Sequence, residues 1–193
     1  MIKYPTRKPN YVESKRDTRN RGMAFEALVD ESNRHYLAHD KAVIHKKPTP
    51  VQIVGVDYPS RSQAKITEAY YRTPSTTDYN GIYKGRYIDF DVKESQSMTS
   101  FPLKNVHAHQ LTHLKNVHAH GGVAFLLIYF RKRDTVHLLG CEPLATYAER
   151  AKKGRKSITY DEIVKDGYTV KCGFRPPVDY LKAVEAYIET LED

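Results

Sequence analysis

Apolar residues recur at three- and four-residue steps near the start of the chain, at Met23, Phe25, Ala27, Leu28, Ser32, His35 and Tyr36 with its polar neighbours, and the spacing predicts a helix over residues 22–39. Residues 42–45 then read as a short strand stopped by the double-proline turn Lys46-Lys47-Pro48-Thr49-Pro50. Alternating Val and Ile predict a second strand over 51–58, Lys65–Tyr71 reads as a helical turn, and the Thr- and Ser-rich stretch 72–79 as an extended excursion. Ile82 to Tyr87 reads as a hairpin about Lys84-Gly85, with the strand running on through Lys93. A long helix follows, with Thr99 or Ser100 as N-cap, Pro102 in its first turn and Gly121-Gly122 closing it. Val123–Phe130 is continuously apolar, the mark of a central strand covered on both faces, and 135–139 can pair beside it. Helices over 143–152 and 179–191 complete the pattern. Helix, strands, helix, strands, helix predicts an α/β fold with a mixed central sheet flanked by helices.

One segment repeats. Leu103-Lys104-Asn105-Val106-His107-Ala108-His109 recurs eleven residues later as Leu114-Lys115-Asn116-Val117-His118-Ala119-His120. Eleven residues is about three helical turns, so both copies are expected on one face of one regular helix. On that helix Leu103, Val106, Gln110, Leu114 and Val117 form a stripe in which only Gln110 is polar. A buried amide needs partners, and a carboxylate or metal-bound water on the facing sheet would serve.

Charge narrows the function. Lys and Arg outnumber Asp and Glu by 31 to 23, a formal charge of +8 that favours a polyanionic partner. Residues 1–21 hold a large share of that charge with few aliphatics and are expected to form a flexible basic arm. The longest apolar run has eight residues, Val123–Phe130, too short to span a membrane. Two cysteines without CxxC spacing argue against a zinc ribbon or disulfide scaffold and fit a cytoplasmic protein.

The chemistry concentrates in Tyr87-Ile88-Asp89-Phe90-Asp91-Val92-Lys93, which alternates strictly. Ile88, Phe90 and Val92 point into a core while Asp89, Asp91 and Lys93 share the other face, and Asp78 can fold back beside Asp91. Two carboxylates at adjacent strand ends can hold Mg²⁺, which keeps several waters. A lysine beside them can orient or deprotonate the attacking water and offset charge on phosphorus. An acid followed by Asp/Glu-x-Lys is the arrangement of the PD-(D/E)xK nuclease superfamily.

The segments Lys46-Lys47-Pro48-Thr49-Pro50, Pro74-Ser75-Thr76-Thr77-Asp78-Tyr79-Asn80-Gly81, Gly85-Arg86-Tyr87-Ile88-Asp89-Phe90 and Phe101-Pro102-Leu103-Lys104-Asn105 resemble the RecU family of Holliday junction resolvases, in order, across residues 19–185. The resemblance implies a restriction-endonuclease-like fold and one nuclease domain over 1–193, with a stalk at about 72–80 projecting into the junction. It implies a homodimer that cuts opposed strands of four-way junction DNA with Mg²⁺ or Mn²⁺ and that also binds the RecA recombinase. By position, Thr76, Asp78, Asp91 and Gln110 match the family's metal-binding residues and Lys93 its transition-state-stabilising lysine. One departure bears on metal choice: the family's acid before x-Lys is usually Glu, and although the motif admits either, Asp91 is one methylene shorter.

Two rival readings stand beside this one. A non-catalytic junction-binding protein that modulates the recombinase would share the basic surface without needing Asp78, Asp91 and Lys93 together. A zinc hydrolase would draw on His107, His109, His113, His118 and His120. On a helix, however, His107 and His109 point about 200° apart, only His109 and His113 have chelate spacing, and no Glu accompanies them as a base. Glu26 on the first helix reads as an exposed residue outside the site.

Overall fold

The computed structural model describes residues 24–71 and 76–192. The expected basic arm and residues 72–75 of the expected excursion lie outside them. A seven-stranded sheet forms the middle layer, in the order β1 (Val43–Lys46), β4 (Tyr79–Tyr83), β5 (Arg86–Ser95), β7 (Val123–Phe130), β8 (Thr135–Gly140), β10 (Tyr168–Cys172) and β11 (Val178–Asp179). Only β5 and β7 run parallel; the other neighbours are antiparallel. The mixed α/β architecture predicted from the sequence is the one observed.

Two cores sandwich the sheet. Beneath it, α1 (Phe25–Ala38) and α5 (Leu181–Glu192) pack on Ile88, Phe90 and Val92 of β5 and on Val123, Phe125 and Leu127 of β7. The rings of Tyr79, Phe90 and Phe125 stack there, at 5.0 and 4.8 Å between centroids. Above it, α2 (Ala108–Ala119), α3 (Cys141–Lys153) and α4 (Tyr160–Asp166) cover Ala124, Leu126, Ile128 and Phe130 of β7. β7 is thus apolar throughout because both its faces are covered.

The hairpin between β4 and β5 turns at Lys84 and Gly85, with φ of 48° and 76°. Left-handed values at both positions match the twist of the flanking strands. Gly81 of β4 lies against β1 so closely that a Cβ there would sit 2.0 Å from the carbonyl oxygen of Val43.

Three expectations need correction. Lys65–Tyr71 is not a helical turn but strand β3, paired antiparallel with β2 (Val51–Asp57) in a separate two-stranded ribbon. Its Ile, Thr and Tyr residues favour a strand, and the partner lies across a loop that a short window does not see. The exposed excursion is this ribbon over 51–71, whereas residues 79–80, placed in the excursion by the sequence, already belong to β4 in the central sheet. The long helix begins at Ala108 and not near Ser100. Residues Ser100–Pro102 form β6, paired with β9 (Ser157–Thr159) so that Phe101 is buried, and Leu103–Asn105 make one 3-10 turn. The two copies of the repeat therefore have different structures, one spanning a turn and a helix start, the other a helix end. The stripe still packs inward: Gln110 and Leu114 are buried, with Leu103, Val106 and Val117 half-buried beside them. No helix among the described residues is long and apolar enough to cross a membrane.

A side chain at Gly81 must push β1 away from β4, so Gly81→Ala is expected to destabilise by at least about 2 kcal/mol. Gly85→Ala meets open space and costs only the left-handed conformation, about 1 kcal/mol. Urea unfolding of the two variants checks the order.

Candidate active site

Register places the polar face of β5. Asp89, Asp91 and Lys93 pair with Ala124, Leu126 and Ile128 of β7 and share their side of the sheet, which α2 covers. Asp89 and Asp91 are both fully buried as a result. They sit two residues apart in surroundings of opposite character.

Asp89 is saturated with donors. Its Oδ2 accepts from Lys47 Nζ at 2.7 Å, Tyr87 Oη at 2.8 Å and His113 Nε2 at 3.1 Å, while Oδ1 accepts from the Thr77 hydroxyl. Burial pushes its pKa up, but the bonds from Lys47, Thr77, His113 and Tyr87 outweigh burial and hold it below the ordinary value.

Asp91 is short of donors. Gln110 Nε2 donates to its Oδ2 at 2.5 Å. Lys93 Nζ forms an ion pair with the buried Oδ1 at 2.6 Å. Burial raises the Asp91 pKa to about 7; Lys93 works against that shift and the nearby Asp78 carboxylate adds to it.

Asp78 is set between two strands. The β4–β5 ladder ends at Tyr79 and Phe90, and Asp78 prolongs it with its side chain, its Oδ2 accepting from Val92 N at 3.0 Å. Its backbone carbonyl accepts from Lys47 N at 2.7 Å, which ties the end of β1 to the same point.

The structure therefore brings Asp78, Asp91, Lys93 and Gln110 together. Thr76 is exposed, and its hydroxyl accepts from Lys47 Nζ at 3.3 Å, on the Asp89 side. Gln110 is a donor to Asp91, while its own oxygen accepts from His107 N at 3.1 Å and caps α2. Glu26 pairs with Lys46 at 2.6 Å on the surface. Sequence reasoning missed Lys47, Thr77, Tyr87 and His113 as the partners of Asp89. The signals for them were the two-residue step from Tyr87 to Asp89, the Lys46-Lys47-Pro48 turn and the three-residue step from Gln110 to His113.

The donor set suits a hard divalent cation. A buried carboxylate oxygen paired with Lys93 stands beside a second carboxylate that uses one oxygen on Val92, while no three His, Cys, Asp or Glu cluster as a metal site among the described residues. Mg²⁺ is held in that way, through one or two carboxylates. The histidines do not converge. His113 faces Asp89, His118 lies 3.3 Å from Glu142, and His120 Nδ1 is 2.8 Å from the Asn116 carbonyl. His107 precedes the helix, so its ring stacks on His109 at 5.4 Å instead of pointing away as expected.

Comparison with known proteins covers nearly the whole chain. A family model described as Recombination protein U matches residues 20–186. Proteins named Holliday junction resolvase RecU from Bacillus cereus, Bacillus anthracis and Bacillus thuringiensis are each 48% identical, over 95% of this chain and 96% of their own length. The solved structure of Hjc, a Holliday junction resolvase from Archaeoglobus fulgidus, aligns with a TM-score of 0.42 at 12% identity, covering 75% of this chain and 90% of that one.

The Asp91 shift fixes a pH dependence. The folded state keeps a proton on Asp91 that the unfolded chain releases above its ordinary value of 3.8, so this group's contribution to stability falls as pH rises towards about 7. Measured without metal, wild type should lose on the order of 3 kcal/mol relative to Asp91→Asn between pH 4 and 8. Asp89 acts in the opposite sense and is common to both proteins, so it cancels. Added Mg²⁺ at pH 8 should raise the melting temperature of wild type and not of Asp91→Asn.

Proposed function

The chain belongs to the RecU family, and from that membership we propose that it is a structure-selective endonuclease that resolves four-way DNA junctions in recombination and repair. The observation that carries the catalytic part of this reading is the buried Asp91 carboxylate, whose pKa burial raises to about 7, paired with Lys93 at 2.6 Å and crowded by the Asp78 carboxylate. A carboxylate confined in this way is unfavourable by itself and favourable once a cation shares it.

Asp91 and Asp78 would hold Mg²⁺ or Mn²⁺. Gln110 would keep Asp91 in place, or offer its oxygen if the amide turned over at the loss of the His107 cap. Thr76 would contribute through a water or after moving from Lys47. When bound, the cation supplies positive charge to the phosphate and acidifies a water. Lys93 Nζ, next to Asp91, offsets the charge that builds on the phosphate oxygens during in-line attack. The water oxygen bonds to phosphorus as the bond to the 3′ oxygen breaks, leaving 5′-phosphate and 3′-hydroxyl ends.

Paired nicking of opposed strands requires two such sites, so the acting form is a homodimer. The exposed ribbon over 51–71 would serve as the stalk and the basic residues 1–21 as an arm on the DNA, both part of one nuclease domain. Binding to RecA and a cytoplasmic location belong to the same reading. Selectivity for a junction over a duplex comes from shape, and affinity from phosphate contacts, each adding about −0.9 to the log–log salt slope.

A labelled immobile junction and a matched duplex, each with Mg²⁺, Mn²⁺ or EDTA, provide the test. Paired nicks are expected on the junction alone and only with metal. Asp78→Ala and Lys93→Ala should abolish cutting and leave junction binding within a few-fold; loss of binding in both would show these residues to be structural. Asp91→Glu should change the ratio of Mg²⁺- to Mn²⁺-supported cutting. Tight binding by wild type without cutting in either metal would leave the non-catalytic, recombinase-modulating role.

A further inference from the structure

The polar face of β5 continues past Asp89 to Tyr87, which is 42% exposed. Its hydroxyl donates to Asp89 Oδ2 at 2.8 Å and accepts from Asn80 Nδ2 at 3.2 Å. Opposite it, α2 presents His113, one turn beyond Gln110, with Nε2 on the same Asp89 oxygen. One buried carboxylate oxygen thus fixes two aromatic rings. Beyond them lies an open hollow of about 360 Å³ bounded by Tyr87, His113, Asn116, Val117, His120 and Gly122. Its size falls in the range of clefts that take small organic groups.

The lining is specific in chemistry. Tyr87 and Val117 give an apolar floor, and they approach closely because residue 122 has no side chain: a Cβ there would lie 2.6 Å from Val117 Cγ1 and 3.3 Å from the Tyr87 ring. The rim carries the amide of Asn116, which can both donate and accept, and the ring of His120, both exposed. Along the strand, the hollow and the Asp91 site are separated only by Asp89 and its ligands. Four strand residues, about 13 Å, separate Asp91 from Tyr87, so a polynucleotide that passes over the partly exposed Lys47 and His113 with one phosphate at Asp91 brings a nucleotide about two positions away over Tyr87. A flat ring that stacks on tyrosine and offers a hydrogen-bonding edge to an amide is a nucleobase.

We infer that this hollow is the subsite for a base about two nucleotides from the scissile phosphate, with Tyr87 as its stacking wall and Asn116 as the residue that reads its edge. The inference rests on the endonuclease reading. Asp89 acts as a positioning residue, holding Tyr87 and His113 in the shape of the slot while Asp91 serves the phosphate.

Two measurements test it. In EDTA, junctions carrying 2-aminopurine at single positions around the crossover are titrated with wild-type protein. Quenching is expected at one position about two nucleotides from the cut site, and Tyr87→Leu should abolish it. With Mg²⁺ or Mn²⁺, cut sites are mapped on a pool of junctions randomised at the core. Asn116→Ala should flatten the base preference at that position by about ten-fold or more relative to wild type. Asn116 is exposed, so this variant keeps the test valid if Tyr87→Leu fails to fold. Wild-type cutting with a distribution unchanged in Asn116→Ala, together with no position-specific quenching, overturns the subsite. Failure of wild type to cut any junction overturns the endonuclease reading instead, and the 2-aminopurine signal then decides the hollow alone.

Discussion

Strand β5 is covered on both faces, by α1 and α5 below and by α2 above, and its side chains alternate between those layers. A strand with one wet face would leave Asp89 and Asp91 hydrated and ordinary. Here neither reaches solvent, so each must find its compensation within the protein or from a bound cation. Parallel pairing with β7 requires a crossover above the sheet, and α2 lies on that crossover, so the connection that completes the sheet also buries the carboxylates.

The two aspartates settle their burial differently. Asp89 collects a lysine, a threonine, a tyrosine and a histidine and becomes a fixed anchor. Asp91 receives one amide bond and the Lys93 ammonium, and burial beside Asp78 still raises its pKa. Identical side chains one pleat apart thus meet burial in opposite ways, one pKa lowered and the other raised. The difference would be lost if Gln110 and His113 exchanged places on α2.

Much of this was legible in the sequence because it depends on short periods. The alternation over residues 87–93 assigns every β5 side chain to its layer, and the apolar run at 123–130 is the central strand. The single polar member of the α2 stripe, Gln110, meets a carboxylate on the facing sheet as a buried amide should. What stayed hidden depends on long-range pairing. Ser100–Pro102 is a strand because β9 lies 55 residues further on, and β3 is one because β2 precedes it across a loop. The ligands of Asp89 were hidden for the same reason: Lys47 and His113 come from opposite sides of β5, 42 and 24 residues away.

The ribbon of β2 and β3 has both faces exposed and is inserted between β1 and β4, two strands that pair with each other. Where the chain leaves β1 for the ribbon stands Lys47, and where it comes back stand Thr77 and Asp78, joined by the bond from Lys47 N to the Asp78 carbonyl. The ribbon is in effect a lever with its pivot at that bond. A twist imposed on its far end would reach Asp78 and the lysine that anchors Asp89 before the rest of the sheet.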